Sequence, residues 1–460
     1  MKLMQDTIMT GAGPLLSVMT VLITVGNFPT IGTAPGDIPV NEEDVYPFSI
    51  LPNMTELGLE IIEGDIAVPR SLLRKGNRPT FLPVGQRWPG NVVPYKYHTS
   101  VNNSHKSVIV SGIQHWQNNT CLRFEEVESI GRHHIRFRTD KDGCWSLIGR
   151  TMGIASIQSA ILGGLVQDLV QGEVFYQDIN LQRPGCVKEG TVIHEIGHAI
   201  GFYHEQSRSD RDEHIKILFE NMNPEMSAQF EKADDQTFGV PYDLGSVMQY
   251  PQWAFSKDIY ELNTIVTRDP FMQGSLGGDV LTFRDMKLAN SMYKCNEGCT
   301  NKNSIQCQNG GFIFARHGEL TECNCICPPN TAGDLCETII RPSYYEPVKC
   351  GGNVTQPTNI ESKAVDAPCI FWVQAPEGQR ARVTFTEFNF PARSDKGKMK
   401  NRCRNGRLEL RTQDHFKGQM FCGDELAGKG FTSAGRNLII ITSKLASKSS
   451  SAFKANVSFE

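Results

Sequence analysis

The stretch from His194 to His204 reads HEIGHAIGFYH: three histidines, a glutamate beside the first, and a glycine shortly before the last. No other part of the chain constrains its local fold as tightly. On a helix, His194 and His198 lie one turn apart and project from the same face, so both imidazoles can reach one metal ion. A third histidine continuing on the helix would point the wrong way. Gly201 can adopt the positive φ that ends the helix and turns the chain back, which allows His204 to become a third ligand. Three neutral nitrogens leave one position of a tetrahedral zinc open to water. Glu195, beside the first ligand, can accept that water's proton and pass it to a leaving amine. Val192, Ile193, Ile196, Ala199 and Ile200 are available to pack the other faces of the helix.

With 460 residues the chain exceeds one typical domain, and about two to four modules are expected. Its net charge of -4 shows no basic excess, so neither nucleic acid nor an anionic membrane surface is an expected partner. The apolar run Pro14–Val25 is too short to span a bilayer, follows Lys2 and precedes small residues, and reads as a signal peptide over 1–26. A buried helix or an anchor is the alternative reading. No later run is long enough for a transmembrane helix.

Fourteen cysteines fit an oxidising compartment, and their distribution marks modules. Four are spread from Cys121 to Cys295, six crowd between Cys299 and Cys336, and four run from Cys350 to Cys422. Sequons at Asn53, Asn102, Asn118, Asn353 and Asn456 are compatible with secretion and mark glycosylation candidates. Together these features point to a secreted, extracellular protein.

Residues 27–78 have little cysteine or aromatic content and end in Arg70, Arg74, Lys75 and Arg78, as a removable pro-segment or an ordinary surface extension would. From 79 to 295 the composition is globular, with strand-like HHIRFRT and helix-like SVIVSGIQHWQ and GTVIHEIGHAIGF, an α+β pattern. The six-cysteine segment 296–337 is too small for a sufficient core and requires disulfides, whose pairing has fifteen possibilities. Over 350–460, the alternation in RARVTFTEFNF, GRLELRT and NLIIITS predicts a β-sandwich. The basic stretch RSDKGKMKNRCRNGR reads either as a solvated loop or as a patch for an acidic partner such as a sulfated glycan.

The extended motif is that of the metzincin metalloproteases, and HEIGHAIGFYHEQSR resembles the astacin family, including Glu205 directly after the third histidine. SVMQY resembles that family's Met-turn, with Met248 and Tyr250. The resemblance implies one Zn2+ per catalytic domain on His194, His198 and His204, with Glu195 and Tyr250 catalytic and Met248 beneath the metal. Tyr250 would be a further ligand at rest that swings away to stabilise the oxyanion. Glu205 would contact the buried amino terminus of the processed enzyme. IIEGDI resembles the pro-segment motif in which an aspartate, here Asp65, occupies the metal's open position; Ile62 stands where the family usually has phenylalanine.

The resemblance also implies disulfides Cys121–Cys295 and Cys144–Cys186, an EGF-like module over the six cysteines, and a CUB domain with Cys350–Cys369 and Cys403–Cys422. No calcium site is carried over, because NGRLEL lacks the usual aspartate before the strand. Gln249 replaces the histidine usual before the Met-turn tyrosine, with little expected loss.

The segment IASIQSAILGGLVQDLVQGEVFYQD is longer than the family places there, and Ile161, Leu162, Leu165, Val166, Leu169 and Val170 recur as on one helix face. A lid or exosite, a helix packed outside the domain, and a gene-assembly error are the three readings. The expectation is a secreted zinc endopeptidase made as a zymogen, cleaving extracellular proteins, with the CUB and EGF-like modules recruiting matrix or receptor partners. The rival is a catalytically blocked binding or scaffold protein carrying the same modules. A different zinc amidase is a third reading, disfavoured by Met248 and Tyr250. Cleavage after Lys75 or Arg78 would give a start near the expected one.

Overall fold

The computed structural model describes residues 51–52, 54, 57–70, 87–128, 133–151, 176–233, 237–316, 320–362, 368–395, 397, 400–444 and 451–460. The expected signal peptide, Asn53, the cleavage candidates Lys75 and Arg78, and the apolar face at 161–170 lie outside the described residues.

Seven strands form the first sheet: β1 (Leu59–Ile62), β2 (Ile66–Pro69), β3 (Val92–Tyr97), β4 (Arg123–Glu126), β5 (His134–Arg138), β6 (Cys144–Leu147) and β7 (Tyr176–Leu181). Their order is β1-β2-β6-β7-β5-β3-β4, parallel from β7 through β5 and β3 to β4 and antiparallel between β6 and β7. Two helices, α1 (Asn103–Asn119) and α2 (Glu189–Ile200), share one core with this sheet. Ile109, Ile113 and Trp116 recur at helical spacing on α1 and meet Val192, Ile193, Ile196 and Ala199 of α2 together with Val93, Ile135, Phe137 and Ile179 of the strands. Asn102 starts α1 in a capping box with His105. A third helix, α3 (Phe283–Met292), opens on a capping box of Thr282 with Asp285 and buries Met286, Ala289 and Met292 in the same core. A short hairpin of β8 (Ile215–Ile217) and β9 (Ile265–Thr267) completes this part. Cys121 pairs with Cys295, and Cys144 with Cys186, so β6 is tied to the segment leading into α2.

In the small module the six cysteines pair Cys299–Cys323, Cys307–Cys325 and Cys327–Cys336. Two hairpins form beside these bonds, β10 (Phe312–Ile313) with β11 (Cys325–Ile326) and β12 (Thr331–Ala332) with β13 (Thr338–Ile339). Its described core is Cys299, Ala315 and Cys323 with Ile313 against them, so the cross-links stabilise what burial cannot.

The last region is a two-sheet sandwich built from β14 (Cys350–Val354), β15 (Thr358–Ser362), β16 (Cys369–Gln374), β17 (Ala381–Asn389), β18 (Gly406–Arg411), β19 (Gln419–Phe421), β20 (Gly430–Thr432), β21 (Asn437–Lys444) and β22 (Ala452–Phe459). One sheet runs β14-β16-β21-β18-β19 and the other β15-β22-β17-β20. Alternate residues such as Val383 and Phe385, Leu408 and Leu410, Leu438 and Ile440, and Phe453 and Ala455 face inward, as the two-residue period of a strand requires. Cys350–Cys369 and Cys403–Cys422 are bonded. The chain is thus multidomain: an α+β domain with a cleft, a disulfide-rich module and an all-β sandwich. Among the described residues no helix is long and apolar enough to cross a membrane.

Candidate active site

Helix α2 buries its apolar residues in the core, while His194 and His198 face Asp65 of the turn between β1 and β2, with Glu195 buried nearby. Gly201, at φ 113°, caps the helix and donates its N–H to the carbonyls of Gly197 and His198. The chain then returns His204 beside the first two histidines. Their Nε2 atoms converge, 3.1 Å between His198 and His194 and 3.3 Å between His204 and His194.

The other ring nitrogens reveal the tautomers. His194 Nδ1 lies 2.7 Å from the Val247 carbonyl and His198 Nδ1 lies 2.7 Å from the Phe202 carbonyl. A carbonyl only accepts, so both Nδ1 atoms carry the hydrogen and, in the neutral rings, both Nε2 lone pairs point into the cluster. His204 Nδ1 is held by Glu63 Oε2 at 3.1 Å.

Asp65 enters the same space from the turn between β1 and β2. Its Oδ2 is 3.1 Å from His194 Nε2, and its Oδ1 is 3.2 Å from His198 Nε2 and 3.1 Å from His204 Nε2. Oδ1 nevertheless makes no well-directed hydrogen bond. Three imidazole lone pairs and a carboxylate oxygen aimed at one point repel each other unless a cation sits between them, and three nitrogens with one oxygen are a donor set suited to Zn2+. The residues therefore fit the metal.

Glu195 is buried beside this cluster, and its Oε2 has no hydrogen-bond partner among the described residues. Burial, and then the charge of Asp65, push its pKa well above the ordinary value. A buried carboxylate with an unmatched oxygen facing a metal-type donor set is placed for proton transfer.

The turn beneath the histidines is organised by α3. Asp285 accepts from Ser246 Oγ at 2.6 Å and from the Val247 N–H at 3.1 Å, and Ser246 Oγ in turn accepts from the Met248 N–H at 3.0 Å. Met248 Sδ would lie 2.7 Å from a Cβ added at Gly197, so α2 sits directly on the methionine. Gly197→Ala is accordingly expected to destabilise the domain by about 1–3 kcal/mol, the usual cost of overpacking. Denaturant unfolding checks this; an unchanged midpoint would mean that the Met248 side chain moves aside without loss.

The Tyr250 ring packs tilted against His204, 4.4 Å between centroids, and its backbone N–H donates to Gln206 Oε1 at 3.0 Å. Its hydroxyl donates to the carbonyl of Glu63. Glu205, expected at the amino terminus of a processed chain, here accepts from Arg208 Nη1 at 3.1 Å and from the Asp243 N–H at 2.6 Å. Burial pushes its pKa up to about 8 against the opposing effects of Arg208 and that N–H. Gln249 is buried and accepts the Tyr242 hydroxyl at 2.5 Å. The candidate glycosylation residues Asn102, Asn118, Asn353 and Asn456 are exposed and lie apart from the cleft.

Sequence reasoning missed Glu63, Gln206, Gln229 and Phe255. Gln229 Oε1 accepts the Gly64 N–H at 3.0 Å, and a Cβ at Gly64 would meet Tyr250 Oη at 2.3 Å and Phe255 Cζ at 2.8 Å. Only glycine fits there, at φ 90°. β2 runs parallel to β6, pairing Ile66 with Ser146 and Ala67 with Leu147, so the hairpin covers one edge of the sheet while its tip fills the cleft. The motif IIEGDI marked the tip, but nothing local showed what Glu63 and Gly64 touch.

A family model described as Astacin (Peptidase family M12A) matches residues 83–163 and 169–294. Blastula protease 10 of Paracentrotus lividus is 34% identical over 400 residues, which cover 83% of this chain and 60% of that protein. Zinc metalloproteinase nas-36 of Brugia malayi is 33% identical over 319 residues, covering 66% of this chain and 48% of that protein. The chain thus spans only part, 60% and 48%, of the length of these curated relatives. High choriolytic enzyme 1, a hatching enzyme zinc-protease from Oryzias latipes, is 26% identical and aligns over 46% of this chain and 94% of that one, with a TM-score of 0.38. Sequence, ligand set and relatives agree that residues 83–294 of this chain carry a domain of the astacin family, peptidase family M12A.

Proposed function

We propose that the chain is the latent precursor of a secreted zinc endopeptidase that cleaves extracellular proteins. The observation that carries this reading is the convergence of His194, His198, His204 and Asp65 on one point beside the unmatched carboxylate oxygen of Glu195. A bound zinc ion would polarise the scissile carbonyl and lower the pKa of a water to about 7. Glu195 takes a proton from the attacking water and delivers it to the leaving amine. Tyr250 donates its hydroxyl hydrogen to the developing oxyanion.

Latency follows from chemistry as well as position. A carboxylate in the open position excludes water there, which is the role proposed for Asp65. Glu63 adds a bond to His204 and offers its carbonyl to Tyr250, so one hairpin occupies three parts of the machinery. Removal of a pro-segment over 27–78 would release all three, and Glu205, buried among Arg208 and Asp243, is the proposed partner of the new amino terminus. The proposed boundaries are 79–295 for the catalytic domain, 296–337 for the EGF-like module and 350–460 for the CUB domain. The exposed sequons and the seven disulfides support an extracellular location.

The test compares the secreted chain before and after processing on a denatured protein mixture. Fragments are expected only from the processed chain; a zinc chelator should abolish them and added Zn2+ restore them. Asp65→Ala should raise cleavage by the precursor by about tenfold, equivalent to ~1.4 kcal/mol. A folded, processed, zinc-loaded chain that leaves every protein intact would refute the reading.

A further inference from the structure

We propose that the C-terminal sandwich is a positioning element of the peptidase site: it grips the tip of the loop Gln252–Thr264 and so fixes the wall that Phe255 presents to substrate. This rests on the endopeptidase reading and extends it to residues outside the catalytic domain.

The loop is one mechanical unit. Thr264 donates its N–H to the Gln252 carbonyl at 2.8 Å and its hydroxyl to the Ala254 carbonyl at 2.7 Å, while Ser256 Oγ donates to the Leu262 carbonyl at 2.7 Å. Its near end lies in the site. The Phe255 ring is 5.8 Å from Tyr250 and 5.9 Å from Phe230, and its Cζ abuts the hairpin at Gly64. Once the hairpin leaves, that face opens on the cleft. Phe255 has φ 56°, a conformation that a bulky residue keeps only where its surroundings over-determine it.

The surroundings include the sandwich. Along β18, Leu408 and Leu410 point into the sandwich core, so Arg407, Glu409 and Arg411 point the other way. Arg407 is 2% exposed, with Tyr260 and Asn263 of the peptidase domain against it, while Arg411 is held within the sandwich by Glu409 and the His415 carbonyl. Arg407 donates to the Tyr260 carbonyl, and Asn263 Nδ2 donates to Glu409 Oε2 at 3.3 Å. Glu261 Oε1 accepts from Arg393 Nη1 at 2.9 Å and from the Cys403 N–H at 3.2 Å. Arg402 pairs with Asp258.

Asp258 and Glu261 lie on the loop and Arg393, Arg402 and Arg407 on the sandwich, where Glu409 is itself paired with Arg411. Within the basic stretch, Arg393, Arg402 and Arg407 pair with the peptidase domain, while Lys400 is exposed. The grip and Phe255 are only a few residues apart on a cross-braced loop, so loosening one end frees the other.

The experiment uses the full chain with Arg407→Ala, Arg407→Lys and Glu261→Gln, the last a milder variant in case the first misfolds. Hydrogen exchange of the amides at 255–264 is read on the precursor, and kcat and KM on an extended peptide after processing. Arg407→Ala is expected to speed loop exchange about tenfold and raise KM about fivefold, with kcat and zinc content nearly unchanged, the pattern of lost uniform binding. Arg407→Lys should recover most of both effects, and Glu261→Gln should show a smaller shift in the same direction. Unchanged exchange in Arg407→Ala and Glu261→Gln would overturn the grip whatever the activity. Faster exchange with an unchanged KM would overturn the positioning role alone. A parent chain that is itself inactive after processing would overturn the endopeptidase reading and the positioning role with it, a failure distinguished by occurring without any substitution.

Discussion

Glu195→Gln in the processed chain is expected to lower kcat by about 10²- to 10⁴-fold, the range supplied by a positioned general base, with KM and zinc content little changed. The argument is geometric before it is electrostatic. Glu195 follows a ligand on α2, so it is oriented by the same helix that holds His194 and His198. Its Oε2 has no hydrogen-bond partner among the described residues, an arrangement that is costly unless a substrate or water meets it during turnover. Its raised pKa comes first from burial and then from Asp65. Departure of the hairpin removes the Asp65 contribution and leaves a stronger tendency to ionise, as a base requires. Glutamine keeps the shape and removes the proton acceptor. Zinc measured in the variant separates a lost base from a lost site: full zinc with more than a tenth of parental kcat would exclude Glu195 as the base.

How much of this was legible follows from how local each signal is. The path of His194, His198 and His204 depends on helix periodicity and on one glycine, all within a few turns, and Gly201 indeed has a positive φ. The sandwich strands were legible because alternation of period two is likewise local: GRLELRT contains β18, with Leu408 and Leu410 inward. The same alternation should have drawn attention to Arg407, Glu409 and Arg411 as a charged stripe on the opposite face. What it could not show is that a loop about 150 residues earlier meets that stripe at Arg407 and Glu409. Glu63 was invisible for a similar reason. Its bond to His204 exists only because β2 pairs with β6, and that register is set by packing between segments far apart in the chain. Phe255 carried no local mark at all, since a positive φ on phenylalanine is imposed by its surroundings.

Tyr250→Phe is the second substitution with a large expected effect, a fall in kcat of about 10²- to 10³-fold, the usual loss for one oxyanion donor. The phenol is buried, and desolvation, followed by the charges of Asp65, Glu63 and Glu195, raises its pKa well above the ordinary value. Burial, the largest of these effects, favours the protonated phenol, which can donate to a negatively charging oxygen. In the precursor that donor is directed at the Glu63 carbonyl, a resting acceptor of the same chemical kind as a peptide substrate's. Loss of the hairpin exposes the hydroxyl without requiring the ring to be rebuilt, because His204, Phe230 and Phe255 already surround it. Phenylalanine preserves those ring contacts, so the stability of the processed chain should change little while catalysis falls. The Glu195→Gln, Tyr250→Phe double variant should lose less than the product of the two single losses, because the groups act on one transition state. A Tyr250→Phe chain retaining kcat within about threefold of the parent would leave the oxyanion to other donors and reduce Tyr250 to a latch for the hairpin.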